Sequence, residues 1–265
     1  MPISTRPWAR GTSYYGSYFP LAVKWLLISN IALFVLYYFA VLAGFAQIFH
    51  PFGLIPYDVL HGRIWQLVTY LFLHDPTGFT HILFNMLTLW FFGVSLEQTW
   101  GWRRFLKFYF LCGIGAGLCV VFGNLLFAAL TSGDAPVFSS EYLLSRTIGA
   151  SGAIYGVLLA FGMLFPDTEI LFMFLFPLKA KYFVMIMGAI AFMLTLTPGG
   201  TVSNVAHLGG MLFGYVYLKS ARARSRSSFS IPIGQWYRDY KLRRAKKKFQ
   251  VYLKKKQSDQ DRWVH

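Results

Sequence analysis

Charge is what this chain has least of. Only 13% of its residues are Asp, Glu, Lys or Arg, against about 25% in an ordinary soluble protein. Acidic residues are scarcer still, 10 against 25 basic ones, and long stretches carry almost no charge. That pattern argues against a second soluble domain and points to an integral membrane protein in one bundle. Cysteine is nearly absent. Cys112 and Cys119 fall in one apolar segment, roughly 10 Å apart along a helix, too far for a disulfide. They read as small apolar packing residues. No pair of aspartates lies in an apolar segment and no His-Glu-x-x-His stretch occurs, so the aspartyl and zinc routes to proteolysis in a membrane lack support. No metal or organic cofactor is expected. Residues 1–20 lack the short apolar core and small-residue cleavage site of a secretory signal.

What the chain has is apolar length. Six segments stand out, near Pro20–Ala43, His81–Leu96, Phe105–Leu130, Ile148–Phe165, Lys181–Thr197 and Asn204–Leu218. Several are short for a crossing of about 20 residues. Short helices within a bundle leave room for a water-accessible depression at one end. Residues 1–19 then form an N-terminal segment, 20–218 the six-span domain and 219–265 a basic tail.

Basic loops stay on the cytoplasmic side. With the N-terminus inside, that side holds Arg6, Arg10, Lys24, Arg103, Arg104, Lys107, Lys179, Lys181 and the tail from Lys219. The outside keeps only Arg63 and Arg146. The expected topology has both termini in the cytoplasm, and the compact six-span form suggests a bacterial inner membrane.

On this topology spans two, four and six all enter from the outer face. His81 and Asn85 open span two, Ser151 opens span four and His207 opens span six. All four share a shallow depth below the outer surface, where polar groups are costly and tend to be functional. A serine hydroxyl is a weak nucleophile until a base within reach takes its proton. His207 is the natural base, and later the acid for a leaving amine. Ser151 sits at a helix start, whose N–H groups and positive dipole end favour developing negative charge. His81 and Asn85, spaced i, i+4, share one face and suit a side-chain oxyanion site alongside the Ser151 N–H. Tyr155 lies on the Ser151 face and suits packing against the His207 ring. Gly149 and Gly152 would let a substrate backbone approach. No Asp or Glu lies at this depth, so the chemistry would be a Ser–His dyad.

Each part alone has an ordinary explanation. A Gly-Ala-Ser-Gly stretch can be a small-residue packing face. A lone membrane histidine can be a satisfied polar group or part of a proton path. His81 and Asn85 can be an interhelical hydrogen-bonding pair. The Gly210 to Gly214 stretch reads as a close helix contact that brings His207 against a neighbour.

Together these stretches resemble the rhomboid intramembrane serine proteases. The resemblance rests on His81-Ile82-Leu83-Phe84-Asn85, on Gly149-Ala150-Ser151-Gly152-Ala153-Ile154-Tyr155-Gly156, and on Ala206-His207-Leu208-Gly209-Gly210 continuing to Gly214. It implies an all-α bundle of six transmembrane helices with a short, central, serine-bearing helix. It implies Ser151 as nucleophile, His207 as base, His81 and Asn85 in the oxyanion hole, and Tyr155 stacked on the base. The implied reaction is hydrolysis of a peptide bond in or near a substrate transmembrane helix. Such a substrate must unwind locally, which favours helix-weak residues at the cut. Trp65 to His74 resembles the family's membrane-embedded loop, with Gln66 where Arg is frequent. That exchange is expected to alter loop anchoring, and His74 is read as structural through loop hydrogen bonds. Phe84, Phe91 and Phe183 are candidates for a gate between spans two and five.

Two rivals remain. A catalytically inactive relative that binds and escorts membrane helices would be expected to lose Ser151 or His207. A small transporter would need ionisable groups along a path, not at one end.

Glu141 and Arg146 read as solvated loop residues, and Pro198-Gly199-Gly200 as a turn. The apolar stretch 169–177 reads as inner-interface chain, or as an extension of span five broken at Pro177. The tail reads as an interfacial helix on anionic lipid or a disordered positive tail. Nucleic acid is not an expected partner.

Overall fold

The computed structural model describes residues 19–131, 141–172, 176–196 and 202–226. The expectations for the Pro198–Gly200 turn and for the tail beyond Arg226 lie outside them. The chain divides into two units, Met1–Ser220 and Ala221–His265, and the first holds the helical bundle.

Helix α1 (Leu21–Leu42) starts directly after Pro20. The first N–H groups of a helix have no partner within it. Here the buried Glu97 carboxylate accepts from Ala22 N at 2.9 Å and Val23 N at 2.8 Å, a negative group at the positive dipole end. The chain then runs through a 3-10 turn (Ala46–Phe52), α2 (Pro56–Leu60), α3 (Gln66–Thr69) and a second 3-10 turn (Tyr70–Phe72). Helix α4 (Phe79–Trp100) ends at Gly101, whose φ of +78° suits glycine. The chain turns there into the long α5 (Trp102–Thr131). A one-turn α6 (Glu141–Leu144) leads to α7 (Ser151–Leu164), α8 (Ala180–Leu196) and α9 (Val202–Arg226).

Three described helices, α1, α4 and α5, are long and apolar enough to cross a membrane. Helices α7 and α8 are apolar but shorter. Along α1, Trp25, Leu36, Phe39 and Leu42 are all exposed. Such a contiguous apolar face is a liability in water and ordinary against lipid. Helix α7 is buried nearly all round, which is the pattern of a central helix. It packs on α4, α5 and α8. Its glycines also meet α9: a Cβ on Gly210 would collide with the Gly152 carbonyl, and one on Gly156 would lie 3.0 Å from the Gly210 carbonyl. Cys112 and Cys119 are free thiols that fill this small-residue seam, against Gly156 and Gly209.

Three expectations are corrected. The stretch 169–177 does not extend the fifth helix. It forms an antiparallel ribbon of β1 (Glu169–Phe172) and β2 (Phe176–Lys179), with Ile170 opposite Leu178 and Leu171 opposite Pro177. Proline is tolerated on such an edge strand, where its missing N–H is not required by the ladder. Arg146 is half-buried instead of solvated. It donates to Tyr37 Oη at 3.2 Å and to the Phe49 carbonyl at 3.0 Å, with its guanidinium carbon 5.8 Å from the Tyr37 ring. The helix ends also move. The second helix gains two residues at its start and four at its end over His81–Leu96. It can run past Glu97 because the hydrogen bonds to α1 offset the cost of burying that carboxylate.

Candidate active site

The segment that carries Ser151 is pinned before its helix begins. Leu54 and Thr147 form an antiparallel bridge, with N–H to carbonyl distances of 2.9 and 2.8 Å. Gly149 N then donates to the Tyr70 carbonyl at 2.9 Å, and Tyr70 Oη donates to the Gly113 carbonyl at 2.7 Å. Gly149 has φ of +125°, and a Cβ there would press on the His81 ring at 3.1 Å. Glycine is required at this position on both counts.

Ser151 opens α7, and its Oγ lies 2.9 Å from His207 Nε2 of α9. The Tyr155 ring lies against the His207 ring, with centroids 4.0 Å apart and planes 5° from parallel. Tyr155 is one turn after Ser151, so a single helix presents both the hydroxyl and the plate beneath its partner. His81 and Asn85 face the same space from α4. Asn85 Nδ2 donates to the His81 carbonyl at 2.9 Å, which fixes the amide and leaves its second N–H for another acceptor. All five residues line one open cavity of about 390 Å³. A hydroxyl on a histidine, facing further donors across a cavity, is suited to acyl transfer.

Gly152 does not face this cavity. A Cβ there would meet Ala116 at 2.7 Å and the Ala206 carbonyl at 3.4 Å. Its smallness serves the packing of α7 on α5 and α9, not substrate approach. Gly210 likewise serves that packing and sits three residues after the base. Of the three gate candidates, Phe84 borders the cavity and is 66% exposed. Phe183 stacks on Phe92 at 5.8 Å, and Phe91 lies against Trp90 at 4.9 Å. Neither lines the cavity.

Sequence reasoning missed Thr80, Thr88 and Met187, which also line it. Thr88 follows His81 and Asn85 in an i, i+4, i+7 series, so the helical period held that signal. Met187 comes from α8, and no local pattern marks it.

The loop that carries Trp65 to His74, loop one, is held by the Gln66 side chain. Gln66 is fully buried. Its Oε1 accepts from Ile55 N at 2.9 Å, and its Nε2 donates to Asp58 Oδ2 at 3.0 Å and to the Pro51 carbonyl at 3.3 Å. The amide thus secures the loop with one acceptor and two donors, which is the altered anchoring expected of Gln66. His74 is also fully buried, and among the described residues neither ring nitrogen has a hydrogen-bond partner within 3.5 Å, the backbone of Phe72 being the nearest to one. Its role is packing: its ring lies 5.2 Å from that of His81. Burial first, and then the neighbouring His81, push its pKa down to about 3, so this ring is neutral.

Residues 61–223 match the family described as the Rhomboid domain. Over 217 residues the chain is 28% identical to the mitochondrial Rhomboid protein 1 of Saccharomyces cerevisiae, covering 80% of this chain and 57% of that one. It is 34% identical over 151 residues to RHOMBOID-like protein 2 of Arabidopsis thaliana, covering 57% and 40%. It is 30% identical over 157 residues to the Rhomboid protease GluP of Bacillus subtilis, covering 59% and 26%. The chain therefore spans between 26% and 57% of these relatives' own lengths. With a match that takes in α4 through α8, most of α9 and every residue around the Ser151 cavity, this chain belongs to the rhomboid family.

Proposed function

We propose that the protein is an intramembrane serine endopeptidase acting through a Ser151–His207 dyad. The observation that carries this reading is the 2.9 Å approach of Ser151 Oγ to His207 Nε2 beside a cavity with further donors. Ser151 Oγ attacks the scissile carbonyl carbon while its proton passes to Nε2. The carbonyl oxygen takes the negative charge and is met by His81, Asn85 and the Ser151 N–H. The tetrahedral species collapses, the amine leaves with the proton from His207, and an acyl-serine remains. Water then gives a proton to His207 and attacks the ester, releasing the acid and restoring the hydroxyl. Tyr155 holds the imidazole plane throughout, while Gly149 and Gly210 hold the backbones that carry the two reacting groups.

The substrates in this reading are membrane proteins with helix-destabilised transmembrane segments. In this reading each of the six apolar segments crosses, and the sorting of basic residues puts both termini in the cytoplasm and the cavity on the outer side. A bacterial inner membrane is the location this reading proposes, although the matched relatives include mitochondrial and plant proteins as well as a Bacillus one. The basic tail would bind anionic lipid.

The test is a fluorophosphonate probe, which reacts with an activated serine without needing a substrate. Purified wild type should be labelled, and Ser151→Ala and His207→Ala should each lose the labelling by at least about 100-fold. Folded wild type that stays unlabelled, in detergent and in lipid, would refute the protease reading and leave a helix-binding relative.

A further inference from the structure

Helix α7 has 14 residues and α8 has 17, so they rise about 21 and 26 Å. The hydrocarbon core is about 30 Å thick. Helices α1 and α4 have 22 residues each and α5 has 30, enough to cross. The connection between α7 and α8 therefore falls within reach of the acyl chains, and its composition fits that depth. The ribbon β1–β2 presents Leu171, 63% exposed, and Phe176, 66% exposed. The apolar surface continues onto α8, where Met185 is 67% exposed. The charged groups gather at the root of the ribbon. Lys179 and Lys181 lie 3.6 and 2.9 Å from Asp167, and the Lys181 ammonium lies 5.3 Å from the Tyr182 ring. Glu169 stands opposite Lys179 in the ladder, so two cations and two anions lie together next to an aromatic ring, an arrangement suited to a headgroup boundary. The root is held by Ala180 N donating to the Thr168 carbonyl at 2.8 Å and Lys181 N to the Pro166 carbonyl at 3.2 Å.

We infer that the β1–β2 ribbon is a lipid-inserted anchor, seated in the headgroup–acyl boundary of one leaflet at the ends of the two short helices. The occupant of its apolar face is phospholipid. A two-stranded ribbon leaves backbone groups unpaired along its outer edges, which the hydrocarbon centre does not tolerate. Its depth is that of an interfacial segment, about 5–10 Å into the boundary. Lying along that boundary, the ribbon gives the short α7 an apolar seat at the end opposite Ser151. The inference rests on the membrane placement of α7 and α8, not on catalysis.

The experiment uses the full chain in nanodiscs of phosphatidylethanolamine and phosphatidylglycerol. Benzoyl-phenylalanine is placed at Leu171 or at Phe176, both exposed and outside the core, and at Met185 as the lipid-facing reference. After irradiation, intact-mass measurement should find phospholipid adducts at Leu171 and Phe176 within about twofold of the Met185 yield. A yield below about a tenth of the Met185 value at both positions would overturn the inference. So would a crosslink to residues 221–265 or to a second copy, since the face would then be covered by protein. A nitroxide on Phe176→Cys, with Cys112→Ala and Cys119→Ala, should be reached more readily by oxygen than by a water-soluble nickel chelate. The reverse order would also overturn it. Neither readout needs an active protease, so failure here leaves the Ser151–His207 reading standing.

Discussion

At the scale of single residues, the ring of Tyr155 matters to His207 as a surface, not as a hydroxyl. The two rings are 4.0 Å apart and nearly parallel, and such a pair is worth about 0.5–1.5 kcal/mol beyond its buried area. Tyr155→Phe keeps the plate and should leave kcat/KM close to wild type. Tyr155→Ala should lower it about 2- to 12-fold, measured on a cleavable transmembrane reporter. Equal losses in both variants would assign the effect to the hydroxyl instead. His74 gives a pH dependence. Its pKa falls from the ordinary 6.5 to about 3 on folding, so the unfolded chain takes up a proton that the folded one refuses. The stability from this neutral ring is fully present above pH 6.5 and is lost as pH falls toward 3. The slope is about 1.4 kcal/mol per pH unit for one proton. Thermal unfolding between about pH 7.5 and 5 should show His74→Phe losing stability less steeply than wild type. Parallel curves would refute this. The meeting of Ser151, His207 and Tyr155 was legible because helix starts and i, i+4 spacing are local properties of a sequence. The roles of Gln66, Glu97 and Arg146 were not, since their partners are backbone and ring atoms many residues away.

At the scale of elements, the site depends on how closely α9 can approach α7. No room exists for a side chain between Gly210 and the Gly152 carbonyl. His207 lies one turn before that contact, so a displacement there moves Nε2 from Ser151 Oγ by a similar amount. Gly210→Ala should destabilise by about 1–3 kcal/mol through overpacking, and Gly210→Val by more. Fluorophosphonate labelling should fall in Gly210→Ala even well below its unfolding temperature, because a misplacement of about 1 Å costs on the order of 100-fold in rate. Normal labelling in a folded Gly210→Ala chain would show that the helices part without disturbing the dyad. The elements themselves were legible as apolar runs, and α1 and α8 start and end within a residue of the runs that mark them. The ribbon was not legible. Pro177 reads as a helix break from sequence, and only the pairing of Leu171 with Pro177 across two strands shows the other way to accommodate a missing N–H.

At the scale of the whole molecule, the chain sorts its polar groups by end. Glu97 caps α1 near the α4–α5 turn, where Arg103 and Arg104 lie over Trp102 and Trp100, each 5.1 Å from the ring. The opposite end holds Ser151, the starts of α4 and α7, and loop one with its Arg63–Asp58 pair at 2.9 Å. The basic residues favour the Glu97 end, and lysine and arginine favour the cytoplasm. In the proposed topology the Ser151 cavity opens away from the cytoplasm. Glu141 and Glu169 are both exposed, and α7 runs between them, so a cysteine at each reports one face. An impermeant maleimide added to intact spheroplasts should label Glu141→Cys and spare Glu169→Cys until the membrane is opened. Labelling of Glu169→Cys alone would invert the topology and set the cavity on the cytoplasmic side. Substrates would then be cut from that side. The pairing of a short α7 with a boundary ribbon would survive the inversion, because it follows from helix length and not from the direction of insertion.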